Sequence, residues 1–250
     1  MRQALGGNVQ ESALIISGDA LTGFDLTAAM DAHKNSGALA TIVLTEVGVP
    51  TEYGIALLDA ENRITRFLEK PQLSEVFSDK ANTGIYILEP EVLSMIPEGE
   101  AYDFSQGLFA RLLKEGVSIY GYEAKGYWCD IGSISEYIQA HMDVLDGKVI
   151  GVESEAVHET AQVSPYAALI PPYYIGRGAQ VAQGAIVGPY AVVGDGVKVG
   201  RDCSIKRSVV MQDAILARTA NFAAVLWLQA RMCRAARGCL TARWWASGAM

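Results

Sequence analysis

From Val157, a step of six residues reaches Val163, Leu169, Ile175, Val181, Val187, Val193, Val199 and Ile205, nine aliphatic positions in succession. A half-buried strand repeats every two residues and a helix every 3.6, so neither produces a period of six. A triangular parallel β-helix does. Each hexapeptide forms one flat side, its aliphatic residue points into the axis, and three sides complete a coil. Four places beyond the aliphatic residue a small or modest one usually follows, as at Ala161, Ala167, Ala179, Ala185, Ala191, Val197, Cys203 and Val209. Such residues let the chain turn a corner. Nine hexapeptides make about three coils, near the minimum for a stacked array to enclose a core.

The chain before the repeats has a different grammar. Ala13–Ser17 is a short apolar run ending in Gly18-Asp19, the pattern of a buried parallel strand with a carboxylate at its carboxyl end. Asp25 suits the N-cap of a helix that presents Leu26, Ala29, Met30 and His33 and stops at Gly37. Residues 39–45 read as a strand, and residues 55–58 and 63–68 as a hairpin around a polar turn. Residues 83–88 form another strand, residues 104–115 a helix, 118–122 a strand and 135–146 a last helix. Alternating helices and strands imply an α/β sheet. The Gly147–Gly151 stretch marks a boundary, giving domains over 1–148 and 152–217 and a separate tail over 218–250.

Composition narrows the function classes. The 250 residues are 50% hydrophobic and 19% charged, a globular balance, and the apolar runs are too short to span a bilayer. Met1–Gln10 lacks the apolar core of a secretion signal, so a cytoplasmic location is expected. The four cysteines, Cys129, Cys203, Cys233 and Cys239, match no zinc or disulfide spacing and read as reduced thiols. A net charge of −8 argues against a nucleic-acid surface. An acidic protein that handles phosphates needs a metal or a few placed cations.

Residues 218–250 hold five Arg, no Lys and no acidic residue, which leaves −13 on the rest once those arginines are set aside. The segment reads as a basic amphipathic helix for a partner or membrane surface, or as one foreign to the fold before it. The end of the six-residue period favours the second reading.

In open α/β sheets, ligands lie beyond the carboxyl ends of strands. Three places qualify: Ser17-Gly18-Asp19; Phe67-Leu68-Glu69-Lys70-Pro71; and Tyr127-Trp128-Cys129-Asp130-Ile131-Gly132. Alone, the first also reads as a turn cap and the second as a solvated ion pair. An Asp among bulky apolar residues, as at Asp130, needs a partner. Together, Asp19, Lys70 and Asp130 form a set suited to magnesium and phosphate, because Mg²⁺ takes one or two carboxylates plus substrate phosphates. Our reading requires these three residues to share one crevice.

These motifs, with Tyr53-Gly54, Asn82-Thr83-Gly84-Ile85-Tyr86 and the hexapeptides behind them, resemble the sugar-1-phosphate nucleotidyltransferases, most closely the bacterial mannose-1-phosphate guanylyltransferase branch. The resemblance covers residues 14–217 and implies an incomplete Rossmann-like α/β sheet followed by a left-handed parallel β-helix that builds a homo-oligomer. It implies that Asp19 and Asp130 hold Mg²⁺ against the phosphates and that Lys70 pairs with the phosphate of the sugar 1-phosphate. Glu69 and Asn82 would bond sugar hydroxyls, and Gly54 would offer backbone beside the sugar. The implied substrates are a nucleoside triphosphate and a sugar 1-phosphate, in the named branch GTP and mannose 1-phosphate, with no nucleic acid and no membrane involved. Glucose 1-phosphate with a thymidylyl, uridylyl or adenylyl donor is the rival.

The family opens on a strand and a Gly-rich, Arg-bearing loop that grips the triphosphate, and no such segment is read here. The expectation is therefore a chain with little or no turnover. A non-catalytic assembly or regulatory subunit is one alternative. An acyl-coenzyme A transferase built on the repeats is another, with His158 as the only histidine there. His33 and His141 are expected on helices in structural roles.

Overall fold

The computed structural model describes residues 10–97, 102–151, 156–223, 226–227, 232–233 and 240–241. The chain divides into two compact units, residues 1–130 and 131–250.

The first unit runs β1 (Ala13–Ile16), β2 (Ala20–Thr22), α1 (Leu26–Ser36), β3 (Ala40–Glu46), β4 (Ile55–Leu58), β5 (Ile64–Leu68), β6 (Lys80–Leu88), α2 (Pro90–Ser94), α3 (Ala110–Lys114), β7 (Ile119–Glu123) and β8 (Trp128–Asp130). Six strands form a mixed sheet in the order β5-β4-β6-β3-β7, with β1 also on β6. The nine-residue β6 is the spine. It pairs with β3 along one edge; on the other, it meets β4 at Ala81 and β1 over Ile85–Leu88. Among the described strands of this sheet, only β3 and β7 are parallel.

Both faces of the spine are apolar, as expected of a sheet covered on both sides. Ile42, Leu44, Tyr86 and Leu88 face a cluster with Val92, Leu108, Phe109 and Leu112. The alternating Val43, Ile85 and Ile87 face Phe24 and Ala29. Helix α1 has the expected ends, Asp25 Oδ1 accepting from Ala28 N at 3.0 Å and Gly37 left-handed at φ 63°.

Two expectations need correcting. Ala13–Ile16 is not a buried parallel strand: β1 is antiparallel to β6 with Leu14 39% and Ile16 44% exposed, because among the described residues it pairs along one edge only. The helix over 104–115 is a π-helical turn, Phe104–Phe109, followed by α3, with Asp103 Oδ1 capping Gln106 N at 2.6 Å. The short antiparallel pair β2-β8 has no counterpart in the sequence reading.

The second unit begins with α4 (Ile134–Leu145), whose first turn Ser133 caps by accepting from Glu136 N. Tyr190 donates to Asp146 at 2.9 Å, and Arg207 reaches Met142 Sδ at 3.5 Å.

Behind α4 a parallel β-solenoid presents three faces of five short strands each. Register partners lie 18 residues apart, as in Val163↔Val181↔Val199 and Leu169↔Val187↔Ile205. The predicted aliphatic and small positions alternate in one continuous core, from Ile175 and Ala179 to Leu216 and Phe222.

The period does not stop at Ile205. One step shortens from six residues to five at Lys206-Arg207, so Val193 pairs with Val210 and Ile205 with Phe222, and buried Ser208 takes the place opposite Ala191. Strands at Leu226–Trp227, Met232–Cys233 and Leu240–Thr241 extend the ladders into the Arg-rich segment. Residues 224–225, 228–231, 234–239 and 242–250, and with them Cys239, lie outside the described residues. No helix among those described is long and apolar enough to cross a membrane.

Candidate active site

The sequence-selected residues all attach, within one or two positions, to the Asn82–Gly84 stretch of β6. After β1, Ser17 donates its backbone N–H to Gly84 O at 2.9 Å, and its hydroxyl donates to Asp19 Oδ1. Strand β2 then pairs with β8 so that Ala20 faces Asp130, and Asp19 is the residue just before β2. Asp19 is exposed and Asp130 half-buried. Two residues before Asp130, Trp128 donates Nε1–H to Thr83 O at 3.0 Å and meets the Tyr53 ring edge-on at 5.3 Å.

Tyr53 and Gly54 carry the attachment to the β5 end. Lys70, left-handed at φ 43°, donates its backbone N–H to Tyr53 O at 3.1 Å, and Asn82 N–H donates to Gly54 O at 2.7 Å. The backbone, rather than the ammonium, makes the described tie of Lys70, and its side chain is exposed. Glu69 lies against Gly54. A Cβ at position 54 would come within 2.5 Å of Glu69 Oε2 and 2.8 Å of Phe67 Cζ, so any larger residue would displace the carboxylate or the ring from its present place.

Glu69 Oε2 is buried with no hydrogen-bond partner among the described residues. A buried acceptor left unpaired costs about 1–3 kcal/mol, so this oxygen is a place where a bound donor would be rewarded. Asn82 Oδ1 accepts from Gly84 N at 3.1 Å and Nδ2 donates to Tyr86 OH at 3.0 Å, occupying two of the carboxamide's four hydrogen-bonding positions.

Tyr86 is the member of this set that the sequence reading left without a role. Burial pushes its phenol up, Asn82's hydrogen bond pulls it down, and the charges of Glu69 and Asp103 push it up further. It therefore stays a neutral hydroxyl within the electrostatic reach of Glu69. Its ring packs against Phe104 and Phe109, centroids 5.3 and 5.0 Å away. Asn82 and Tyr86 lie four apart on β6, across an irregularity in its pairing with β3, so strict alternation alone did not dictate a shared face.

The described residues contain no cluster of three or more His, Cys, Asp or Glu side chains able to hold a metal. Mg²⁺ does not need one, since it takes one or two carboxylates and keeps waters and substrate phosphates for its other positions. Two carboxylates, such as Asp19 and Asp130, would suffice for such an ion.

The histidines serve the structure. Buried His33 bridges Thr41 Oγ1 at 2.7 Å and Glu89 Oε1 at 2.8 Å. His141 stacks edge-on with Tyr137 and burial lowers its pKa, while His158 bonds Thr160 in its own turn. Cys129 and Cys203 form no disulfide among the described residues.

Residues 2–147 match the family described as "Nucleotidyl transferase" and residues 169–226 the "GMPPB C-terminal domain". The chain is 38% identical over 145 residues to a UTP–glucose-1-phosphate uridylyltransferase of Synechocystis sp., covering 57% of this chain and 37% of the relative. It is 35% identical over 178 residues to a mannose-1-phosphate guanylyltransferase of Mycobacterium tuberculosis, covering 68% and 49%. A glucose-1-phosphate adenylyltransferase of Clostridioides difficile is 31% identical over 180 residues, covering 68% and 45%. The chain thus spans about half or less of the length of these curated relatives. With the family match extending over more than half of its residues, the chain belongs to the nucleotidyl transferase family.

Proposed function

We propose that the first unit binds a sugar 1-phosphate and Mg²⁺ for nucleotidyl transfer, with mannose 1-phosphate and GTP giving GDP-mannose and pyrophosphate. In this reaction an oxygen of the sugar phosphate attacks the α-phosphate of the triphosphate in line, and pyrophosphate leaves. Bound Mg²⁺ supplies charge neutralisation at the phosphates. Asp19 and Asp130 hold it, and Lys70 pairs with the sugar's phosphate as a flexible point charge. Glu69 accepts from a sugar hydroxyl, Asn82 bonds another, and Gly54 admits the sugar close to the backbone. Positioning and charge do the work, which suits a site whose histidines are all engaged structurally. The solenoid assembles copies of the chain into a homo-oligomer, and the reaction is placed in the cytoplasm.

The observation that carries this reading is the buried Glu69 Oε2, without a hydrogen-bond partner among the described residues and closely packed against Gly54. A site built to bond a hydroxyl rejects ligands lacking it far more strongly than an apolar pocket rejects a missing methylene. The test is calorimetric titration of the protein with mannose 1-phosphate and with glucose 1-phosphate, in Mg²⁺. Pyrophosphate release is measured separately with GTP, UTP, dTTP and ATP. Saturable binding of mannose 1-phosphate, weakened more than about tenfold by Glu69→Ala, is the expected result. A preference for glucose 1-phosphate would move the assignment to a glucosyl substrate, and binding of neither sugar phosphate would overturn it.

A further inference from the structure

We propose that Ser17 is a positioning residue for Asp19, orienting its carboxylate toward the divalent cation, and that Gly84 makes this possible. The proposal rests on the reading of Asp19 as a metal ligand.

Asp19 is exposed and lies on the turn between β1 and β2, where no ladder fixes its side chain. The Ser17 hydroxyl supplies the constraint by donating to Oδ1. A hydroxyl has one proton to give. Ser17 itself is held at the backbone, by its N–H to Gly84 O at 2.9 Å and by its carbonyl, which accepts from Ala20 N at 3.3 Å. The approach of Ser17 to β6 is close: a Cβ on Gly84 would stand 2.9 Å from Ser17 Cβ, and Gly84 is at φ 74°, a conformation side chains other than glycine's rarely adopt. Gly84 N–H in turn donates to Asn82 Oδ1 at 3.1 Å. One glycine therefore joins the residue proposed for the sugar to the residue proposed for the metal, through the sequence Asn82, Gly84, Ser17, Asp19.

Hydrogen-bonded partners of metal ligands matter because they fix the ligand's rotation before the ion arrives, and removing one typically costs 10–100-fold in metal affinity. A serine bonded two residues along its own turn could instead be a local turn contact with no bearing on the cation. Metal affinity separates these readings, whereas stability alone does not.

The experiment uses Mn²⁺ as the probe, with free ion read by electron paramagnetic resonance, and compares wild type with Ser17→Thr, Ser17→Val, Ser17→Ala and Asp19→Asn. Threonine and valine have nearly the same shape and differ in the hydroxyl, so their difference isolates the hydrogen bond even if substitution at position 17 disturbs the turn. The proposal predicts that Ser17→Val and Ser17→Ala bind Mn²⁺ about tenfold more weakly, that Ser17→Thr stays near wild type, and that mannose 1-phosphate binding without metal is the same in all three. Equal Mn²⁺ affinity in Ser17→Thr and Ser17→Val, with binding still lost in Asp19→Asn, would overturn the role of Ser17 and leave the functional reading intact. Unchanged Mn²⁺ binding in Asp19→Asn would instead overturn the reading of Asp19 as a ligand.

Discussion

The two units bury apolar surface in opposite ways. Among the largest fully buried side chains, the sheet unit supplies Phe109, Ile42, Leu44, Ile55, Ile85, Ile87, Leu88, Leu108, Leu112 and Ile119, whereas the solenoid supplies Phe222 and Ile175. The solenoid fills its axis mainly with Val and Ala, each stacked on an equivalent residue one coil away. The sheet unit joins distant segments, with Ala13 on Leu88 and Ala20 on Asp130. A repeat protein contacts only its neighbours, so its core is specified locally many times over. A sheet built from distant segments is specified once, and it brings chemically different residues together, which is what a site requires.

The largest expected effect tests the solenoid's dependence on close backbone stacking. A Cβ on Gly188, at φ 101°, would lie 1.8 Å from Ile170 O, a backbone atom that no rotamer change can move away. Gly178, at φ 62°, has open space around it. Gly188→Ala should therefore cost more than about 4 kcal/mol, and Gly178→Ala about 1 kcal/mol from backbone conformation alone. Urea titration followed by circular dichroism measures both. Similar losses in the two variants would show that coil stacking is not the limiting constraint.

Core truncations sharpen the contrast at a smaller scale. Phe109 is fully buried and touches Phe67, Tyr86 and Phe104 through ring contacts. Phe109→Ala should cost about 3 kcal/mol and also weaken sugar 1-phosphate binding, since Tyr86 leans on that ring and Asn82 on Tyr86. Val187→Ala, in the solenoid axis, should cost about 2 kcal/mol and leave that binding unchanged. Equal effects on ligand binding would refute the division of labour between the units.

The same division decides what was legible before the structure. In the solenoid, residues 18 apart stack, so a one-dimensional period reports a three-dimensional core, and Val163, Val181 and Val199 were readable as axis residues. The shortened step after Ile205 broke the count because a turn can lose a residue at Lys206-Arg207 while the next strand keeps its register. Helix α1 was legible from Asp25 and Gly37, whose capping is local chemistry.

The exposed alternate face of β1 was not legible, since Ala13–Ile16 is apolar whether or not a strand covers it. At the site, residue types could be recognised at Asp19, Glu69, Lys70 and Asp130, but not the bonds that gather them. The tie from Trp128 to Thr83 and the crowding of Glu69 against Gly54 join residues well separated in sequence. No periodicity encodes such contacts.

The smallest effects separate the units by pH. In the sheet unit, the Ser12 hydroxyl, with a smaller contribution from His33, holds the Glu89 carboxyl below its ordinary 4.5. A lowered folded pKa contributes stability that is present above 4.5 and is lost as pH falls through the folded value. In the solenoid unit the sign reverses. Tyr190, bonded to Asp146, and Lys148, bonded to Asp143, are both raised above their ordinary 10.0 and 10.5. Their contributions are present below those values and are lost as pH rises through the folded ones. Urea midpoints against pH should therefore show Glu89→Gln less stable than wild type near neutrality, by less than about 1 kcal/mol, with the gap closing in acid as the wild-type carboxyl takes up its proton. Tyr190→Phe should differ from wild type at neutral pH and converge with it in alkali, once the wild-type phenol ionises and can no longer donate to Asp146. If both gaps closed at the same end of the pH range, one of the two hydrogen bonds would not be making the contribution assigned to it.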